Sequence, residues 1–141
     1  MRAKRPFRSQ LPALTLLELT VVLLVLLTLM ATGFYVTTQV QDWRAGREAA
    51  ETLRTVYTAQ RMYLADHPTE PVTDLTMDKL LGYLPNKTLD GDENIIAPTV
   101  SSLNETALTI VVDASPPYLA EGGARYDPSG NPTDGVWDVG E

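Results

Sequence analysis

The feature that most constrains the fold is a stretch of 18 residues, 19–36, that carries no charged side chain. An α-helix rises 1.5 Å per residue, so this stretch is about 27 Å long, close to the roughly 30 Å apolar thickness of a bilayer. Residues 14–17 add three leucines. We therefore expect one transmembrane helix over about residues 14–36.

Charge is distributed unevenly around this segment. Residues 1–13 contain Arg2, Lys4, Arg5 and Arg8 and no acid, so all 18 acidic residues follow them. Basic residues beside a membrane segment stay on the cytoplasmic side, which directs the C-terminal part outward. A secretory signal peptide also begins with basic residues, but this apolar segment is longer and no clear small-x-small cleavage motif follows it.

Glu18 interrupts the apolar region and is the one charged side chain between Arg8 and Asp42. A carboxylate inside a membrane span costs roughly 2.5–3.5 kcal/mol on insertion scales, and such residues usually have a partner. A plain signal anchor gains nothing from this acid, so Glu18 indicates a specific pairing.

Residues 13–19, ALTLLEL, resemble the type IV prepilin signature, in which a small residue precedes an apolar run ending in Glu. The resemblance implies that a prepilin peptidase cuts between Ala13 and Leu14, removes the leader 1–13 and N-methylates Leu14. It also implies that Glu18, at the fifth mature position, meets the amino terminus of a neighbouring subunit. Ala13 replaces the usual Gly and Leu14 the usual Phe.

The same resemblance implies a structural subunit of a type IV pilus-like filament. The short head and the absence of Cys, hence of the C-terminal disulfide loop of many adhesive pilins, favour a type II secretion pseudopilin. A pilin for motility or DNA uptake and a membrane-tethered acidic binding module are the alternatives. The implied partners are other pilin-like subunits, prepilin peptidase, membrane lipid and the assembly platform of the bacterial inner membrane, with the head periplasmic or extracytoplasmic.

The fold expected from the residues is α+β, which agrees with the pilin-like fold. Apolar residues recur at helical spacing up to Leu64, so the helix spans 14–65 and ends at the Asp66-His67-Pro68 sequence. Charged pairs at helical spacing, Arg44 with Glu48 and Glu51 with Arg54, add weak support.

The head, residues 66–141, contains 8 of the 10 Pro and is expected to be loop-rich. Its core should pack on the second half of the helix. A short helix over 76–83 and a strand over 107–112 are the clearest elements. Residues 95–96 and 117–119 are expected as flanking strands, and 123–126 with 136–139 as a hairpin.

No residue pattern indicates catalysis, so the chain is not expected to be an enzyme. The net charge of −7 argues against a nucleic-acid partner, and one His with no Cys excludes the usual multi-His and thiolate metal clusters.

The segments 90–101 and 127–138 are partial matches to a calcium loop, but solvated turns are the stronger interpretation. His67 lacks a nucleophile and an orienting acid and fits better as a residue at the helix C-terminus.

Overall fold

The computed structural model describes residues 15–140, so the predicted cleavage site between Ala13 and Leu14 lies outside the described residues. Its layout is α+β, as expected: one long N-terminal helix is followed by short helical turns and small antiparallel sheets. The chain divides into two compact units, Met1–Thr38 and Gln39–Glu141. The second half of the helix thus belongs to the same unit as the sheets.

The long helix, α1, spans Leu16–Asp66, close to the expected 14–65. Thr15 precedes it, and its carbonyl accepts the first helical bond, from the Leu19 N–H at 3.1 Å. The helix stops at Asp66 because Pro68 restricts the preceding residue to extended geometry. The His67 N–H still donates to the Tyr63 carbonyl at 2.9 Å and closes the last turn.

The strands form two antiparallel sheets. β1 (Thr88–Leu89) pairs with β2 (Ile95–Ile96) in a small hairpin. A four-stranded sheet follows, in the order β3 (Val100–Ser101), β4 (Ala107–Val111), β5 (Tyr118–Glu121) and β6 (Ala124–Arg125). Strands are present at the positions expected, 107–112, 95–96 and 117–119, to within two residues, because β-branched and apolar runs favour strands. Residues 95–96 do not flank β4 as expected, however: they pair with β1, and β3 lies beside β4 instead.

Two apolar clusters join α1 to the head. In the first, Ala49 and Leu53 pack against sheet residues such as Leu108 and Leu119, and against Trp137. In the second, Val56, Ala59 and Tyr63 pack against the residues that follow α1: Leu75, Leu80, Leu84 and Val112. The apolar side of α1 therefore forms part of both hydrophobic clusters of the head.

Buried Gln60 ties the end of β4 to α1. Its Nε2 donates to the carbonyls of Val112 and Ala114, both at 2.8 Å.

The short helix expected over 76–83 is an α-helix, α2 (Met77–Leu80), followed by a 3-10 turn over Leu81–Tyr83.

The predicted hairpin between 123–126 and 136–139 is wrong in its second arm. β6 pairs with β5, whereas residues 136–138 form bends and residue 139 is irregular, so no strand forms there. Their backbone groups are engaged elsewhere, because the Trp137 N–H donates to the Gly46 carbonyl of α1 at 3.0 Å. Trp137 has a φ of 69°, which no strand residue adopts.

Candidate functional site

The first half of α1 exposes an apolar surface that water does not favour. Its large side chains are exposed by 47–81%, from Leu16 to Val36. The helix is long and apolar enough to cross a membrane, with a mean hydropathy of 2.3 over its most apolar 18 residues, none of which is buried. A surface of this size requires cover from lipid or from other chains.

The polar hydroxyls of this segment are satisfied within the helix. Each of the five threonines between residues 16 and 38 donates to a carbonyl three or four residues earlier at 2.7–3.2 Å; they are Thr20, Thr28, Thr32, Thr37 and Thr38. Such back-bonding removes the cost of placing a hydroxyl in an apolar medium.

Glu18 is different from these threonines. Its backbone N–H donates to the Thr15 hydroxyl at 3.2 Å, so Thr15 caps the helix and the T-x-x-E spacing gives a capping signature that sequence reasoning missed. The Glu18 carboxylate itself has no hydrogen-bond or ion-pair partner among residues 15–140. The apolar segment therefore carries one exposed acid without a partner among residues 15–140.

In the second unit, an open groove of about 400 Å³ lies between α1 and residues 84–99. Its helix wall contains Glu48, Glu51, Thr52 and Thr55, and its opposite wall includes Ile96, Ala97 and Pro98. A cavity of about 290 Å³ shares Glu48, Thr52 and Thr99 with it and continues along β3. We call the two together the acidic groove; no sequence pattern indicated it, because its walls lie far apart in the chain.

The arginines of this unit do not form the helix ion pairs expected from their spacing. Between residues 15 and 140 the one salt bridge joins Lys79 to Glu70. Arg54 donates from Nε to the Val139 carbonyl at 3.0 Å. Three others lie over aromatic rings, with Cζ 5.5–5.7 Å from the ring centre: Arg47 on Trp43, Arg61 on Tyr57 and Arg125 on Tyr118.

The two partial calcium loops use their carboxylates to close their own turns. Asp90 Oδ1 accepts the N–H groups of Asp92 and Asn94, both at 2.9 Å, and these bonds lower the pKa of the Asp90 carboxyl. Asp127 Oδ1 accepts the Ser129 hydroxyl at 2.7 Å. Across the described residues, no three His, Asp or Glu side chains are grouped so as to hold a metal ion.

A polar network closes the end of α1. The Tyr63 hydroxyl donates to Glu70 at 2.8 Å, and Lys79 donates to the same carboxylate. The bond from Lys79, and to a smaller extent the bond from Tyr63, holds the pKa of Glu70 below its usual value. The bond to Glu70 in turn raises the pKa of Lys79. His67 stacks on the Tyr63 ring with centroids 4.2 Å apart, so it belongs to this structural network at the helix C-terminus.

Asp138 organises the C-terminal loop. Its Oδ1 accepts the N–H groups of Gly135 and Gly140, whereas its buried Oδ2 has no partner in the described residues. Burial raises the pKa of this carboxyl, the bond from the Gly140 N–H acts in the opposite direction, and nearby Asp134 adds to the rise. The loop that Asp138 closes holds Trp137 against α1.

Comparison with family models, with curated proteins and with solved structures finds no match to this chain.

Proposed function

We propose that this protein is a structural subunit of a type IV pilus-like filament and, within that class, a pseudopilin of a type II secretion system. The proposal joins the prepilin-like residues 13–19 to an apolar helix and an α+β head. In this view the chain performs no chemistry; it polymerises through α1.

The observation that carries the proposal is the Glu18 carboxylate, which has no partner among residues 15–140. It is the one charge in an otherwise apolar segment whose threonine hydroxyls are all satisfied internally. A charge in an apolar medium is costly when alone and far less so when paired. Cleavage between Ala13 and Leu14 creates an amino group of the opposite sign near the start of the same segment.

The amine of one copy and Glu18 of its neighbour then neutralise each other as a subunit enters the filament. Copies that enter out of register leave both charges unpaired, so the penalty favours one register. Glu18 thus sets the register at which a new subunit joins the filament. The exposed apolar side chains of α1 are covered first by lipid and then by neighbouring helices.

Substitution of Glu18 tests this role in cells that carry the assembly apparatus. Glu18→Gln keeps the size of the side chain and removes its charge, and Glu18→Ala removes both. We expect either variant to retain cleavage after Ala13 and to give much less filament than the wild type. Asp42→Ala, which removes the next acid along α1, is the matched control and should assemble normally.

Mass spectrometry of the assembled protein measures processing directly. The expected mature chain begins at Leu14 and carries one added methyl group. A full-length amino terminus in cells that contain the peptidase would favour a membrane-tethered binding module. Wild-type filament yield from Glu18→Gln would remove the electrostatic basis of the proposal.

A further inference from the structure

Two features of the second unit carry charge without a partner among residues 15–140. The Glu48 and Glu51 carboxylates are exposed on the helix wall of the acidic groove and accept no hydrogen bond from residues 15–140. Arg125 is exposed in β6 and has no carboxylate within 4.0 Å in the same part of the chain.

The sheet order places these features at opposite edges. β3, which borders the groove, is the first strand of the four-stranded sheet, and β6, which carries Arg125, is the last. Three strand spacings of about 4.8 Å separate the two edges by roughly 14 Å. The arginine and the groove therefore point to contacts between copies and not within one.

The chemistry of the two surfaces is complementary. The groove has an acidic helix wall and an apolar opposite wall that includes Ile96 and Pro98. Arg125 lies over the half-buried Tyr118 ring with Cζ 5.7 Å from its centre, so the pair presents a guanidinium beside an aromatic face. A guanidinium held on a ring binds carboxylates through two N–H groups and loses little freedom on binding.

Other cations of this unit fit the groove less well. Lys79 is bound to Glu70, and Arg54 is bound to the Val139 carbonyl. Arg44, Arg47 and Arg61 lie on α1, the same helix as Glu48 and Glu51. Lys87 lies between the groove residues Asn86 and Thr88, so it belongs to the border of the groove itself. Arg125 is the exposed arginine that the sheet presents away from the groove.

We propose that the acidic groove of one copy receives the Arg125–Tyr118 pair of the next copy. The inference rests on the proposed filament, and it names the head contact that accompanies helix packing. The contact joins two different surfaces, so it is heterologous, and in the helical arrangement of a filament it repeats from copy to copy without closing. Residues 39–141 contain 17 acidic and 7 basic side chains, so copies repel in most orientations and a local acid–base contact selects one.

Charge reversal in the full chain tests the contact. Arg125→Glu alone and Glu51→Arg alone each place like charges at the interface, and each should lower filament yield about fivefold or more. The two changes in one chain again place opposite charges at positions 125 and 51 while Glu48 is unchanged, so the double variant should give clearly more filament than either single variant. Arg61→Glu is the matched control on α1 and should assemble as the wild type does.

Disulfide trapping measures the contact itself, because the chain has no cysteine. Thr55→Cys in the groove and Ala124→Cys beside Arg125 leave all the charges in place. With both changes in one chain, mild oxidation should give a ladder of dimers, trimers and larger species, and either change alone should give none. The pair Thr55→Cys with Arg61→Cys tests contact between α1 helices.

The outcomes separate this inference from the proposed function. Wild-type filaments without a Thr55–Ala124 ladder would overturn the groove contact and leave the filament intact. The contact is also overturned by a ladder from the Arg61 pair alone, by products that stop at dimers, or by disulfides to another protein only. Absence of wild-type filaments would refute the proposed function, and this contact with it.

Discussion

Gly46 is a position at which a single added methyl group should disturb the packing of the head. It is buried in α1, and a Cβ built there would lie 2.4 Å from Val136 Cγ1 and 2.6 Å from Trp137 Nε1. Its carbonyl also accepts the Trp137 N–H at 3.0 Å. Gly46→Ala therefore forces Trp137 away from α1.

The expected magnitude is the balance of two effects. Nonbonded carbon atoms prefer separations of about 3.5–4.0 Å, so both contacts are too short by roughly 1 Å, and overpacking of this kind costs about 1–3 kcal/mol. Alanine gains about 0.5–1 kcal/mol over glycine inside a helix. We expect a net loss of about 1–2 kcal/mol, with each kcal/mol lowering Tm by about 4–8 °C.

Tryptophan fluorescence of the full chain in detergent provides the assay. The chain has two tryptophans, of which Trp43 is 56% exposed and Trp137 is 3% exposed. In a Trp43→Phe background the emission therefore reports Trp137 alone. Gly46→Ala should shift this emission to the red and lower the unfolding midpoint.

Gly82→Ala is the matched control, because a Cβ at Gly82 meets no atom within 4 Å. It should leave the Trp137 emission unchanged and the stability equal to or slightly above that of the wild type. A Gly46→Ala protein as stable as the wild type, with unchanged emission, would refute the packing argument.

Two further predictions concern charged groups of the head. The pKa of Glu70 is lowered by bonds from Lys79 and Tyr63, so its contribution to stability is present above the ordinary glutamate value of 4.5 and is lost as pH falls through the lowered pKa. Denaturant unfolding below pH 4.5 should therefore show a steeper loss of stability in the wild type than in Glu70→Gln, and equal slopes would contradict this. Asp138→Ala should cost about 1–3 kcal/mol, because it leaves two loop N–H groups without an acceptor, whereas Asp138→Asn keeps the oxygen and should cost less. The reverse order, measured in the same unfolding experiment, would show that the loop does not depend on these bonds.

The sequence predicted those helices and strands that are determined by the pattern of neighbouring residues in the chain. Helical spacing and Pro68 located α1 and its end, and a β-branched run located β4. The prepilin-like signature at residues 13–19 is local too, and the role it implies for Glu18 stays a prediction.

Contacts between distant residues were decided by the tertiary structure alone. Residues 136–139 have the composition of a strand, yet they lie on α1 because Gly46 leaves room for Trp137, 91 positions later. The acidic groove likewise brings Glu48 and Glu51 beside residues 96–99, and Arg125 to the opposite edge of the sheet. Periodicity and turn residues record the local conformation of a chain, whereas a fit between two surfaces depends on shapes that exist only once the chain has folded.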